Sequence, residues 1–172
     1  WTWNKNRVAT DFNILQDSSR GPGKEIFSNS TSDEESYSTS ITSWNSDGFV
    51  LGGREPINAN NESYASWNWK ANGGTTTTND ASSTSIGSID SVIQANTTAG
   101  FSIVVYTGVA ASNQTVAHGL QVGGVATVPE MIMIKKRGST SNWNVIHPNR
   151  ASNDHYLQLN SGSVSINTNT PF

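Results

Sequence analysis

Along this chain apolar residues recur every second position, not every third or fourth. In "SYASWNWKA" (63–71) Tyr64, Ser66 and Asn68 fall on one side and Ala65, Trp67 and Trp69 on the other, as a half-covered strand requires. "GFSIVVYTG" (100–108) and "EMIMIKKR" (130–137) are short apolar runs bounded by Gly, Pro or charge, the pattern of strands covered on both faces. "SDGFVLGG" (46–53) sets the turn dipeptide Asp47-Gly48 ahead of Phe49, Val50 and Leu51. "HYLQLNSGSVSIN" (155–167) alternates Tyr156, Gln158 and Asn160 against Leu157 and Leu159, then turns at Ser161-Gly162 towards Val164 and Ile166. No window carries an amphipathic helix longer than a turn or two. Many short strands separated by turns predict an all-β fold, an antiparallel β-sandwich or jelly roll.

The texture changes over "NGGTTTTNDASSTS" (72–85), which has almost no apolar residue to offset its ordering entropy and is expected to be a linker or long exposed loop. Beyond it Ile86, Ile89, Val92 and Ile93 predict one short strand. These features divide the chain into residues 1–71, the later part of one β-sandwich module, and residues 86–172, the opening part of a second, related module.

The relation between the two parts is written in the spacing. Lys5 and Lys135, Arg7 and Arg137, and Arg20 and Arg150 are each 130 residues apart. Allowing one inserted residue, residues 26–30 fall on residues 157–161. Self-similarity at a fixed offset is the mark of tandem modules. The chain is therefore expected to hold about one and a third modules, cut out of phase with them, with the two parts able to complement each other.

Composition narrows the function. A net charge of −3 with 13% charged residues and no Lys/Arg run disfavours nucleic acid as a partner. The hydrophobic fraction is only 34%, but six Trp, four Tyr and five Phe exclude a disordered chain. Cysteine is absent, which argues mildly against a small disulfide-stapled secreted domain. No apolar run approaches the length that spans a bilayer, so membrane insertion is not expected.

Against that background the ordered segments "AGFSIVVYTG", "TVAHGL", "VPEMIMIKKR" and "NWNVIH" resemble the first half of repeats in large virion and tail-fibre-like proteins of marine bacteriophages. "WTWNKNR", "SSRG", "SNST", "SDGFVLG" and "YASWNWKANGG" resemble the second half of the same repeats. The resemblance covers nearly all of the chain outside the Thr/Ser-rich segment. It implies a concanavalin A-like or laminin-G-like jelly roll acting as a structural or adhesive part of a virion, outside the cell. Its partners would be other copies of the chain or other virion proteins, together with host-surface glycan.

Catalytic chemistry has little support in the residues. His118, His147 and His155 are the only imidazoles, and no Ser stands out as a nucleophile beside any of them. His118 in "AHGL" reads as a strand-end cap. Asp33-Glu34-Glu35 is the densest acidic cluster and reads as a solvated loop; calcium is its alternative use, by analogy with concanavalin-like folds. Glycoside hydrolysis would need two acids across a cleft, which the sequence does not single out. For recognition, Trp143 between Asn142 and Asn144, followed by His147, Asn149 and Arg150, could read a sugar: an indole face for the ring and polar groups for its hydroxyls. The competing role for Trp143 is packing in the core, which is preferred because aromatics supply much of a small β-core. Trp67 and Trp69 are expected to be core as well. Three functions follow: a non-enzymatic virion structural module with glycan contact, a stand-alone carbohydrate-binding adhesin module, and a tailspike-type glycan depolymerase. The first is preferred.

Overall fold

The computed structural model describes residues 1–149 and 155–161, and the backbone at 166–167. Four short strands open the chain as a meander: β1 (Thr2–Asn6), β2 (Ile14–Gln16), β3 (Lys24–Phe27) and β4 (Glu35–Ser36). A hairpin follows, β5 (Ile41–Asn45) and β6 (Gly48–Leu51), then a single helical turn α1 (Glu55–Asn58) with Pro56 in its first turn. β7 (Tyr64–Asn68) returns to the outer edge of β1, giving an antiparallel sheet in the order β4-β3-β2-β1-β7.

Register decides what each face of this sheet carries. Trp3 lies opposite both Leu15 and Trp67, while Asn4 lies opposite Ile14, and Ile14 opposite Phe27. One face therefore presents Ile14 and Phe27, which pack with Ile41, Ile57, Trp44 and Phe49 from the hairpin and the helical turn. The other face presents Trp3, Leu15, Ile26 and Trp67.

Residues 72–85 depart from the expectation of a linker or loop. They include β8 (Thr77–Asn79) and a helical turn α2 (Ala81–Thr84), whose cap Asp80 accepts hydrogen bonds from the backbone N–H groups of Ser82 and Ser83. β8 pairs with β9 (Ser91–Asn96), and β9 with β10 (Phe101–Tyr106). A threonine run makes a strand here because β-branched side chains suit a pleated edge even without burial. Ile86, expected within a strand, is 58% exposed in the connection to β9. The three-stranded sheet is joined to the first by buried Gln94, whose Oε1 accepts from Ser18 Oγ and the Gly74 N–H, and whose Nε2 donates to Ser19 Oγ.

An exposed hairpin, β11 (Gln121–Val122) and β12 (Val125–Ala126), follows. Its two-residue turn, Gly123-Gly124, has φ of +59° and +82°, the left-handed values that a turn matching strand twist demands. The chain then writes a second meander: β13 (Ile132–Ile134), β14 (Asn144–Ile146), β15 (His155–Gln158) and β16 (Ile166–Asn167), in that order in the sheet.

The two meanders share one register. Trp3↔Leu15 in the first corresponds to Met133↔Val145 in the second, 130 residues on. Leu15↔Ile26 corresponds to Val145↔Leu157, and Glu25↔Glu35 to Tyr156↔Ile166, with the offset now 131 for β3 and β4. The extra residue falls between β14 and β15, where residues 147–154 match residues 17–23. The offset seen in the sequence is thus a pairing pattern in three dimensions.

The meanders pack face to face. Leu15, Ile26 and Trp143 form a second core, with Trp1, Trp3, Met133 and Leu159 around it. The Ser141 N–H donates to Thr31 O at 2.9 Å and the Glu34 N–H to Arg137 O at 2.9 Å. The result is an all-β antiparallel sandwich. Among the described residues no helix is long and apolar enough to cross a membrane.

Trp67 and Trp69 are not core: they are 50% and 40% exposed. Alternation placed them correctly on the Trp3 face, but β7 is the edge strand and the second meander covers Leu15 and Ile26, further in. The opposite face of β1 buries polar Thr2, Asn4 and Asn6.

Candidate functional site

The residues grouped around Trp143 do not form a sugar platform. Trp143 is 4% exposed, and its indole N–H donates to Phe27 O at 2.7 Å, so the ring is a peg between the meanders with no face open to a ligand. Its neighbours are engaged in holding it there. Asn160 Oδ1 accepts from the Trp143 N–H at 2.7 Å, and Asn160 Nδ2 donates to Asn142 Oδ1 at 2.9 Å. Asn144 lies within β14, opposite Ile134 and Gln158. His147 Nδ1 accepts from the Asn149 N–H at 3.2 Å, closing a turn. Arg150 lies outside the described residues. The packing role is the one that Trp143 fills.

The accessible aromatic surface lies instead on the β1–β7 edge. Trp3 and Trp67, directly opposite in register, have ring centroids 6.1 Å apart at 57°. Trp69 lies 4.5 Å from Trp1, which reaches Trp3 at 6.3 Å and Phe101 at 5.8 Å. The tilted geometry avoids the face-to-face sandwich that aromatic quadrupoles disfavour. It locks the inner rings, Trp1 and Trp3, and leaves the outer pair, Trp67 and Trp69, against solvent. Trp3, Trp67 and Trp69 line a shallow recess of about 170 Å³ that is almost wholly apolar. Backbone pairing of β1 with β7 and the Trp69 N–H to Trp1 O bond of 2.9 Å hold the row on rigid strands.

The acidic cluster does not fit a calcium site, because its carboxylates point apart. Glu34 takes Arg20 at 3.1 Å and Arg137 at 2.9 Å, while Arg20 also binds Asp17 at 2.6 Å. Burial works to raise the Glu34 pKa, and hydrogen bonds from Arg137 and Arg20 outweigh it, holding the carboxyl below its ordinary value. Glu35 turns to the other face and accepts from the Tyr37 hydroxyl. Among the described residues no three His, Asp or Glu side chains converge as metal ligands. Glu25, fully buried, accepts from Ser40 and pairs with Arg54 at 3.4 Å; Arg54 in turn stacks on the Tyr37 ring. These are structural ion pairs that satisfy buried charge. His118 Nδ1 accepts from the Leu120 N–H at 3.0 Å just ahead of β11, a cap on the strand entry.

Trp67 and Trp69 were visible in the sequence as a same-face pair. What the sequence lacked was the sheet order, which puts their strand at an edge.

An all-β sandwich built on a duplicated meander, with an aromatic row at one edge, is therefore the frame in which function has to be sought. Over residues 1–172 the chain matches, and belongs to, the family described as a domain of unknown function, DUF7483. No curated protein and no solved structure gives a significant match.

Proposed function

We propose that this chain is a non-enzymatic structural module of a phage virion, of the tail-fibre or capsid-fibre kind, which acts outside the cell and touches host-surface glycan through Trp67 and Trp69. Assembly with other copies or other virion proteins belongs to the same reading. The observation that carries glycan contact is the exposure of two tryptophans, two residues apart, at the end of the rigid edge strand β7: Trp67 within it, and Trp69 just beyond it, held to Trp1 by its backbone N–H. At a rise of about 3.3 Å per residue their rings lie roughly 7 Å apart along β7, so a glycan laid along the strand meets them in succession. Such rings offer large apolar contact at low entropic cost. The recess is lined by three tryptophans with no carboxylate among them, an arrangement suited to holding a sugar and not to cleaving one. The repeat-like sequence segments and the duplicated meander support the fibre-module part of the reading.

The test is a glycan array probed with the full chain, followed by titration of the best ligand. Trp67→Ala and Trp69→Ala are each expected to weaken binding about tenfold or more. No binding by the native chain, or binding unchanged in the double variant, overturns glycan contact by this surface. Release of reducing sugar from a bound glycan would replace the binding role with a depolymerase. Light scattering on the purified chain tests assembly: a trimer or larger species supports the fibre role and a clean monomer counts against it.

A further inference from the structure

We propose that the outer edge of β13, with the sheet face carrying Ile132, Ile134 and Ile146, is a docking surface for a polypeptide segment of the same pattern as residues 41–69: a hairpin, a helical turn and an edge strand. The shared register shows what such a surface is built to receive. In the first meander β7 pairs along the outer edge of β1, and β5, β6 and α1 cover the face that carries Ile14 and Phe27. Met133 stands where Trp3 stands, so β13 is the counterpart of β1. Among the described residues β13 is an edge strand, with nothing in the place of β7. Met131 and Ile132 are 54% and 38% exposed along it. The matching face is mixed in both meanders and its apolar positions are exchanged: Ile132, Ile134 and Ile146 stand in place of Thr2, Asn4 and Gln16, while Asn144 and Gln158 stand in place of Ile14 and Phe27. An edge with free backbone groups and apolar side chains along it recruits another strand.

Charge is complementary as well. In the first meander the Asn6 side chain donates to the Glu62 carboxylate at the entry to β7. Exposed Lys136 occupies the Asn6 position in the second, so a segment with an acid at the Glu62 position would meet an ammonium there. Simple exchange between copies of this chain does not satisfy the surface. Among the described residues there are two meanders and one segment of this kind, already seated on β1, so a swap of that segment opens one edge for every edge it closes. The occupant is a further segment of the pattern. This holds whether or not Trp67 and Trp69 meet a sugar.

The chain has no cysteine, so one engineered thiol reports one position. The probe is a synthetic peptide of residues 60–71 carrying a single cysteine. Thr2↔Asn68 and Asn4↔Ser66 in the first meander translate to partners at 132 and 134. Directly opposed Cβ atoms lie within disulfide reach. Ile132→Cys in the full chain is expected to cross-link the Asn68→Cys peptide about tenfold faster than the Ala65→Cys peptide, which is out of register. Ile134→Cys with Ser66→Cys is the second in-register pair and carries the test if Ile132→Cys misfolds by circular dichroism. Lys136→Glu, opposing Glu62, is expected to slow the in-register reaction several-fold. Equal rates for the in-register and out-of-register peptides, or no cross-link to either folded variant, overturn the proposal.

Discussion

Trp143 and Trp67 show how far one residue type can diverge within the same sandwich. Trp143 is sealed between the meanders and satisfies the Phe27 carbonyl, so Trp143→Ala leaves both a cavity and an orphaned acceptor. Its cost is expected at about 3–5 kcal/mol, read as a drop in the urea unfolding midpoint. Trp67→Ala, at a half-exposed edge position, should cost well under half of that. Glu34 gives the pH counterpart. Burial pushes its pKa up and the hydrogen bonds from Arg137 and Arg20 pull it further down, so the folded value lies below the unfolded one. A group depressed in this way stabilises the fold above its unfolded pKa, about 4.3 for glutamate, and loses that contribution as pH falls through the folded value. The urea midpoint should therefore fall on acidification from roughly pH 5 to pH 3. Glu34→Gln should lower the midpoint at neutral pH and flatten the acidic limb. An unchanged limb in that variant would assign acid sensitivity to other carboxylates.

Turns between elements carry constraints that side-chain patterns do not reveal. Gly23 has φ +73°, and a Cβ there would lie 2.7 Å from the Tyr37 carbonyl oxygen. Its N–H also donates to Ile41 O, and its carbonyl accepts from the Tyr37 N–H, so three strands meet at this point. Gly23→Ala is expected to cost about 1–3 kcal/mol in chemical denaturation, from left-handed strain and the displaced carbonyl together. A neutral result would show that the β2–β3 connection relaxes at no cost. The same scale explains what was readable beforehand. Two-residue periodicity identifies the faces of β7 and β15, because a strand's side chains alternate whatever surrounds it. It does not say which strand is an edge, since that depends on pairing between residues far apart, and so periodicity alone assigns Trp67 and Trp69 to the core. β8 was missed because Thr77 and Thr78 are exposed and held by backbone pairing to Ile93 and Val92, which leaves no apolar trace. The repeat was legible because Lys5/Lys135 and Arg7/Arg137 are distinctive residues at one offset. The inserted residue follows from the shift of residues 26–30, and the strand pairings place it between β14 and β15. The sugar-contact group around Trp143 was drawn from local composition, which cannot tell an indole wedged under Phe27 from one open to solvent.

For the molecule as a whole, the decisive fact is that the second core belongs to neither meander alone. Trp143 and Val145 from the second meander and Leu15 and Ile26 from the first are all buried, and Trp143 packs with Leu15 and Ile26 across the sandwich. The first meander has the Ile14 and Phe27 core on its other face, but separation from the second would return Leu15 and Ile26 to water and strip Trp143 of its partners, so the two are expected to hold together. Unfolding should then be a single cooperative event, with tryptophan fluorescence and far-UV circular dichroism giving coincident transitions. Leu15→Ala makes the sharper test. Leu15 is fully buried in β2, and its truncation is expected to cost about 2–5 kcal/mol. If the meanders form one cooperative unit, hydrogen exchange in β14 must accelerate by the same factor as in β2, about 30-fold or more at the lower end of that range. Acceleration confined to the first meander would show two units that fold separately and merely touch, and the shared core would then be an interface between domains.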